Sequence, residues 1–126
     1  MRLLLIGLGG GLGSILRYLV GGLVQSGAGA SLFPVGTLAV NVLGCLAIGV
    51  LAELSEARGL LTAEMRALLV VGLLGGFTTF STFANETMSA VRDNALLIAA
   101  GNILLSVGLG LLGVWLGRLL AHNIWG

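Results

Sequence analysis

Hydroxyl residues and phenylalanines are concentrated between residues 75 and 83, where the sequence reads Gly-Gly-Phe-Thr-Thr-Phe-Ser-Thr-Phe. Two adjacent glycines are followed by four hydroxyl residues within the five positions 78–82. Glycine and hydroxyl residues are poor helix formers, so we expect an unwound turn here. An unwound turn has free carbonyl and N–H groups, which can bind ions. A small-residue face that packs against a neighbouring helix would give the same pattern.

Phe77, Phe80 and Phe83 recur every third residue and would therefore lie on one slowly rotating face of a helix. Most phenylalanines in such a stripe serve packing. The edge of the ring carries partial positive charge, however, so it can also contact a small anion in a site that is too dry for bulk water.

Two pairs of polar residues stand in otherwise apolar stretches. Thr37 and Asn41 are spaced four residues apart, as are Asn102 and Ser106, so each pair shares one helical face. Buried amides in a bilayer must find partners, which makes hydrogen bonds between helices the simpler interpretation. The alternative is a donor-lined path for an anion. These stretches contain no ring of carboxylates, which argues against a cation pore.

The composition identifies the elements that must position these residues. The chain has 126 residues, of which 57% are hydrophobic and only 9% charged, which is far from a soluble domain. This excludes a solvated enzyme, a disordered chain and a nucleic-acid-binding protein. We predict an all-α integral membrane protein with one domain, residues 1–126, and four spans at about 3–24, 33–54, 63–91 and 95–121. The third of these helices would be broken in the middle of the membrane.

Charged residues inside the spans are functional candidates by default. Arg17 lies late in the first span, where it either reaches the membrane interface or attracts anions into a vestibule. Glu86 would pair with an arginine or cap the second half of the broken helix. Four arginines would lie on one side of the membrane, namely Arg2, Arg58, Arg66 and Arg118. Arg92 would lie on the other side, together with Arg17 if Arg17 reaches a loop. This bias is small. A near balance suits insertion in both orientations, and a single orientation set by a weak bias is the alternative.

Glycines spaced four residues apart, the pattern of close helix contact, occur in three of the four spans. The pairs are Gly7/Gly11, Gly9/Gly13, Gly72/Gly76 and Gly113/Gly117. So many such faces in four helices indicate that one copy is not the whole assembly. The sequence has no cluster of catalytic or metal-ligating side chains, so we predict no enzymatic activity.

The segment from Gly75 to Phe83, together with the upstream Gly-Thr-Leu-Ala-Val-Asn-Val-Leu-Gly of residues 36–44, resembles the Fluc-type fluoride channels of the CrcB family. The resemblance extends over nearly the whole chain, including its length, its four spans and the early glycine-rich segment that ends in Arg17. It implies an antiparallel, dual-topology homodimer with two fluoride pores, and multi-pass insertion in a bacterial plasma membrane. It also implies passive fluoride export that protects the cytoplasm. The implied partners are fluoride, lipid and a second copy, with no nucleic acid and no soluble protein.

The resemblance also assigns roles to individual residues. Phe80 and Phe83 match the paired pore phenylalanines, and the other pore positions are Asn41, Ser81, Thr82, Thr37, Ser106 and Asn102. Arg17 matches a vestibule arginine. The backbone carbonyls of Gly75 and Thr78, from both subunits, would hold a central sodium ion, which we expect to be structural. Asn102 stands where some members have a tyrosine, and Gly110 replaces a serine, so the outer polar track differs here.

Two rival functions are consistent with a small four-helix membrane protein. A small multidrug exporter exchanges protons for cationic drugs through a carboxylate in the membrane, and Glu86 is the only candidate for that carboxylate. On that hypothesis, Glu86→Gln abolishes transport and changes at Asn41 or Phe80 do not. A scaffold subunit would use its glycine faces for assembly and carry no ions.

Overall fold

The computed structural model describes all 126 residues, and its regular structure is entirely helical. Four stretches are long and apolar enough to cross a membrane, namely Arg2–Gly27, Val35–Ala57, Ala63–Arg92 and Leu96–Trp125. The prediction of an all-helical chain with four spans is confirmed. The first and fourth helices continue past the expected ends at residues 24 and 121, because the polar residues there extend the helix rather than end it.

The four stretches contain six α-helices and two π-helical segments. The α-helices are α1 (Arg2–Gly27), α2 (Val35–Ala52), α3 (Ala63–Arg66), α4 (Gly75–Phe77), α5 (Phe80–Arg92) and α6 (Leu96–Trp125). The π-helical segments are Glu53–Ala57, which continues α2, and Ala67–Leu74, which joins α3 to α4. The third stretch is therefore the least regular of the four.

Gln25 fixes the connection between α1 and α2. Its side-chain nitrogen donates to the carbonyl of Phe33 (3.2 Å), and its side-chain oxygen accepts from the amide of Gly36 (3.0 Å). Pro34, at the N-terminal boundary of α2, supplies no side-chain cap. The side-chain oxygen of Gln25 therefore accepts from one of the N–H groups at the start of α2 that have no partner within the helix.

Glycines allow the helices to approach each other closely. α1 packs against the π-helical segment Ala67–Leu74 and against α4, while α2 and α5 both pack against α6. A Cβ on Gly13 would lie 2.9 Å from the amide nitrogen of Phe77, and one on Gly9 would lie 2.8 Å from that of Leu73. Gly7 and Gly11, on another face of α1, have no atom within 4 Å of the place that a Cβ would occupy. One of the two glycine pairs in α1 is thus used within the chain, and the other is open.

We expect Gly117→Ala to destabilise the protein while Gly108→Ala on the same helix does not. A Cβ at Gly117 would collide with the carbonyl oxygen of Leu46 and lie 2.9 Å from the amide of Val50, whereas Gly108 faces open space. Overpacking of this kind costs about 1–3 kcal/mol. Thermal unfolding in detergent, followed by circular dichroism, measures the difference. Equal midpoints for the two variants would contradict the close contact between α2 and α6.

A buried carboxylate ties the end of α2 to the end of α6. Glu53 begins the π-helical turn, and its side chain is only 12% exposed. Its oxygens lie 3.8 Å from Arg58 Nε, 4.0 Å from Arg118 Nη1 and 3.3 Å from His122 Nδ1. This charged cluster closes one end of the helix bundle, far along the chain from the hydroxyl-rich segment.

Candidate ion-binding site

Two residues of the third stretch have extended rather than helical backbone. Thr78 has φ −86° and ψ 157°, and Thr79 has φ −151° and ψ 114°. α4 ends immediately before this pair, and α5 begins immediately after it. Two extended residues therefore separate the end of one helix from the start of the next.

Asn41 of α2 holds the extended pair with two hydrogen bonds. Its side-chain nitrogen donates to the carbonyl of Thr79 (3.0 Å), and its side-chain oxygen accepts from the amide of Thr79 (2.8 Å). The carboxamide thus pairs with the N–H and C=O of one residue in the way that a neighbouring strand would. A carboxamide has two N–H bonds, so Asn41 keeps one donor for another partner.

The start of α5 offers amide donors. The hydroxyl of Thr79 accepts from the amide of Thr82 (3.2 Å), which makes Thr79 the N-cap of α5. The first amides of a helix have no partner within the helix, and here they belong to Phe80 and Ser81. The partial positive charge of the helix N-terminus adds to their attraction for an anion.

The end of α4 offers carbonyl acceptors. The amide and the hydroxyl of Thr78 both donate to the carbonyl of Leu74, at 3.0 and 2.9 Å. The amide of Thr79 donates to Asn41 instead, so neither amide of the extended pair reaches the carbonyls from Gly75 onward. Carbonyl oxygens at a helix C-terminus carry partial negative charge and are suitable ligands for a small cation.

An apolar groove of about 430 Å³ lies beside the extended pair. Its lining includes six of the predicted site residues, which are Asn41, Gly75, Thr78, Phe80, Phe83 and Ser106. The rings of Phe80 and Phe83 are 5.5 Å apart between centroids and tilted by 49°. Phe80 is 78% exposed in the single chain, so little of its ring packs against the chain's own helices.

A polar cavity of about 550 Å³ lies on the other side of the extended pair. Arg17, Thr37, Thr82 and Glu86 all line it. Thr79 lines both this cavity and the apolar groove, so the two meet at the extended pair. A guanidinium at the wall of a polar cavity attracts anions, which is the chemistry of a vestibule.

Glu86 neither pairs with an arginine nor caps a helix, so those two expectations were wrong. One of its oxygens accepts from the hydroxyl of Thr37 (2.7 Å), and the other is buried without a hydrogen-bond partner. The geometry explains this, because Glu86 lies two turns into α5 rather than at its start, and α2 supplies a hydroxyl opposite it. Thr37 is therefore committed to Glu86.

Two predicted site residues lie outside both cavities. Asn102 is only 2% exposed and donates to the hydroxyl of Thr87 on α5 (2.9 Å). Ser81 is exposed on α5, next to Phe80. Sequence reasoning missed Thr79 and Thr87. Thr79 could not be distinguished from its three neighbouring hydroxyl residues, whereas Thr87 is one helical turn after Phe83 and could have been found by that spacing.

The comparisons with known proteins agree on one family of similar proteins. Residues 4–118 match the family described as CrcB-like protein, Camphor Resistance (CrcB). A protein named fluoride-specific ion channel FluC from Solibacter usitatus is 51% identical over 123 residues, covering 98% of this chain and all of the relative. The protein of that name from Methylobacillus flagellatus is 44% identical, covering 92% of this chain and 91% of the relative. The relative from Methanosarcina acetivorans, named FluC 1, is 42% identical, covering 97% of this chain and 92% of the relative.

Proposed function

This chain belongs to the CrcB family, and from that membership and the site geometry we propose that it is a fluoride-selective ion channel. It would let cytoplasmic fluoride leave passively across a bacterial plasma membrane and so reduce fluoride toxicity. The extended pair is the observation that carries this proposal, because its Thr79 lines both the polar cavity of Arg17 and the apolar groove of the phenylalanines. We propose that this interruption of the third span lies in the middle of the membrane.

Fluoride is small and strongly hydrated, so a selective path must replace its water with donors placed close by. The remaining N–H of Asn41 and the first amides of α5 are such donors. The ring edges of Phe80 and Phe83 supply further partial positive charge without binding water. We propose that fluoride enters at Arg17, passes Thr82 and the extended pair, and continues along the two rings.

The functional unit that we propose is an antiparallel homodimer inserted in both orientations. α5 carries three polar residues that are exposed in a single chain, namely Ser81, Thr82 and Asn85. Exposed polar groups are costly against lipid, so we expect a second copy to cover them. The open pair Gly7 and Gly11 on α1 offers a small-residue face for a second copy. A second copy that covers both faces would also place two grooves in one assembly, which gives two fluoride pores.

We propose that a sodium ion binds between the two copies, held by the carbonyls of Gly75 and Thr78 from each. The carbonyls after Leu74 fit a hard cation, since neither amide of the extended pair takes them and oxygen is the ligand that such cations prefer. One chain supplies only two of these assigned ligands, so the ion would require the dimer. Its positive charge would stabilise the partial negative charge at the C-terminal end of α4 in each of the two copies.

We expect removal of sodium to loosen the dimer and stop fluoride flux. Purification in a sodium-free buffer of a large organic cation would empty the site, which flame photometry of the protein verifies. Dimer stability by size-exclusion chromatography and fluoride efflux would then be compared with and without added sodium. Fluoride flux that stays unchanged when the site is demonstrably empty would contradict a structural role for the ion.

Fluoride efflux from liposomes tests the channel proposal. The purified protein is reconstituted with potassium fluoride inside, and external fluoride is followed with an electrode. Passive movement of an anion builds up a voltage that stops it, so we expect rapid efflux only after valinomycin allows potassium to leave. Liposomes loaded with chloride provide the control for selectivity, and we expect negligible chloride efflux.

The same liposomes distinguish the rival transporter. An exporter coupled to protons would respond to a pH gradient and would lose its activity in the Glu86→Gln variant. Efflux of an organic cation driven by a pH gradient, without fluoride efflux under valinomycin, would overturn the channel proposal. Protein that is folded and dimeric but moves neither ion would favour a scaffold subunit.

A further inference from the structure

A chain of three hydrogen bonds runs behind the apolar groove, between α5 and α6. The hydroxyl of Thr87 donates to the carbonyl of Phe83 (2.8 Å), and the Asn102 side-chain nitrogen donates to the hydroxyl of Thr87 (2.9 Å). The hydroxyl of Ser106 donates to the Asn102 side-chain oxygen (3.3 Å). Ser106 and Phe83 both line the groove, so the chain connects two residues of its lining.

The direction of every bond in this chain follows from the carbonyl at its end. A carbonyl oxygen only accepts, so Thr87 must use its single proton on Phe83. The Thr87 oxygen then accepts, which turns the nitrogen of the Asn102 carboxamide toward it. The Asn102 oxygen is consequently turned toward Ser106, and all three donors point from Ser106 toward Phe83.

This direction determines what Ser106 presents to the groove. Its only proton is directed to Asn102, so the groove meets the lone pairs of the serine oxygen. Lone pairs repel a bare fluoride ion, but they accept a hydrogen bond from water. Ser106 is therefore suited to hold a water molecule that accompanies the ion rather than to contact the ion itself.

Burial gives Asn102 its influence over both ends. It is 2% exposed and Thr87 is 8% exposed, so neither side chain is open to bulk solvent. The peptide carbonyl of Phe83 is bonded through Thr87 to α6, and this bond adds to the restraints on the position of its ring. The longest bond, at Ser106, is the one at the groove.

We propose that Asn102 is a positioning residue of the fluoride path, which holds the Ser106 proton away from the groove and anchors Phe83 through Thr87. It acts without touching the ion. This inference rests on the proposed channel function and replaces a direct contact of fluoride with Asn102 or Ser106 by a contact through water.

Two substitutions at Thr87 separate hydrogen bonding from packing. Thr87→Val keeps the shape of the side chain and removes the hydroxyl, which leaves Asn102 without its acceptor and removes the side-chain donor to the Phe83 carbonyl while keeping the helical backbone bond. Thr87→Ser keeps the hydroxyl and removes a methyl group. We expect Thr87→Val to lower the maximal fluoride efflux rate about tenfold or more, since a broken buried hydrogen bond raises a barrier by that order. We expect Thr87→Ser to retain most of the rate, whereas a packing role predicts the reverse order.

Asn102→Leu provides the second test, because it removes both bonds of the carboxamide at nearly constant volume. Its loss of flux and that of Thr87→Val should not multiply in the double variant, since both interrupt the same chain. Asn123→Leu, near the exposed end of the same helix, is the matched control and should conduct like the unmodified protein. Dimer elution of every variant verifies folding.

The outcomes separate the two proposals. If the unmodified protein conducts fluoride and Thr87→Val conducts equally well, or better than Thr87→Ser, the positioning role of Asn102 is overturned and the channel function is unaffected. Multiplicative losses in the double variant would overturn it as well. If the unmodified, dimeric protein passes no fluoride, the channel function itself fails.

Discussion

Phe80→Ile is expected to reduce fluoride efflux about ten- to hundredfold while leaving the protein folded and dimeric. Contacts to a charged group are worth about 1.5–3 kcal/mol, and each 1.4 kcal/mol added to a barrier slows passage about tenfold. Isoleucine is apolar and similar in bulk, but it has no ring edge with partial positive charge. Fluoride that has lost part of its water would meet only alkyl groups at this point of the groove.

The position of Phe80 makes this substitution informative. The ring is 78% exposed in the single chain and lies 5.5 Å from that of Phe83, so it contributes little to the packing of its own helices. A large loss of flux therefore reports on the groove rather than on the fold. Phe33→Ile, in the link between α1 and α2 and outside the groove, is the matched control.

The measurement is the initial fluoride efflux rate per amount of reconstituted protein at several internal fluoride concentrations. Valinomycin is present throughout, and chloride efflux is measured in parallel. If Phe80→Ile conducts at the rate of the unmodified protein, the ring does not contact the ion, and the phenylalanine pair is a packing feature. If Phe33→Ile fails equally, the loss comes from general damage to the aromatic residues.

The sequence predicted the helices better than it predicted the partners of their polar residues. Four apolar stretches of sufficient length are decided by composition alone, and the structure confirms all four. A spacing of four residues places Asn102 and Ser106 on one face of α6 but does not say which helix lies opposite. Thr87 lies opposite, and it turns Asn102 away from the groove lining and into a buried pair with α5.

The glycine pairs show the same limit. Gly7/Gly11 and Gly9/Gly13 have identical spacing on α1, and nothing local distinguishes them. In the structure Gly9 and Gly13 meet the backbone around Leu73, while Gly7 and Gly11 face open space. Which glycine pair makes a contact depends on the shape of the third span, including its π-helical segment Ala67–Leu74. We found no sequence pattern that predicts this segment. Long-range packing therefore decides which predicted contact is used within the chain.

The role of Asn41 also changes once its partners are known. The sequence left two interpretations open, a hydrogen bond between helices and a donor along an anion path. In the structure one N–H and the carbonyl oxygen are committed to Thr79, and only the second N–H remains for an ion. Asn41 is therefore a support of the extended pair as well as a proposed fluoride ligand, so we expect it to be the most sensitive single position in the groove.

We expect Asn41→Leu to lower fluoride efflux at least about a hundredfold, which is the largest effect of any single substitution considered. The change removes one donor to the ion and leaves both the amide and the carbonyl of Thr79 without partners. Each unsatisfied buried polar group costs about 1–3 kcal/mol, so the extended pair has a strong tendency to rearrange. Since Thr79 lines both cavities, a rearrangement there would alter the wall that they share and so obstruct the proposed path.

Asn41→Asp separates the two contributions of the carboxamide. An aspartate keeps an oxygen that accepts from the amide of Thr79, but in its ionised form it has no donor for the Thr79 carbonyl or for fluoride. Its negative charge would also repel the ion, so we expect flux to be lost. Because one of the two bonds to Thr79 is kept, we expect a smaller loss of stability than in Asn41→Leu, a difference that thermal unfolding in detergent detects. Equal stability of the two variants would show that the hydrogen bonds to Thr79 do not support the extended pair, and normal flux in either would remove Asn41 from the path.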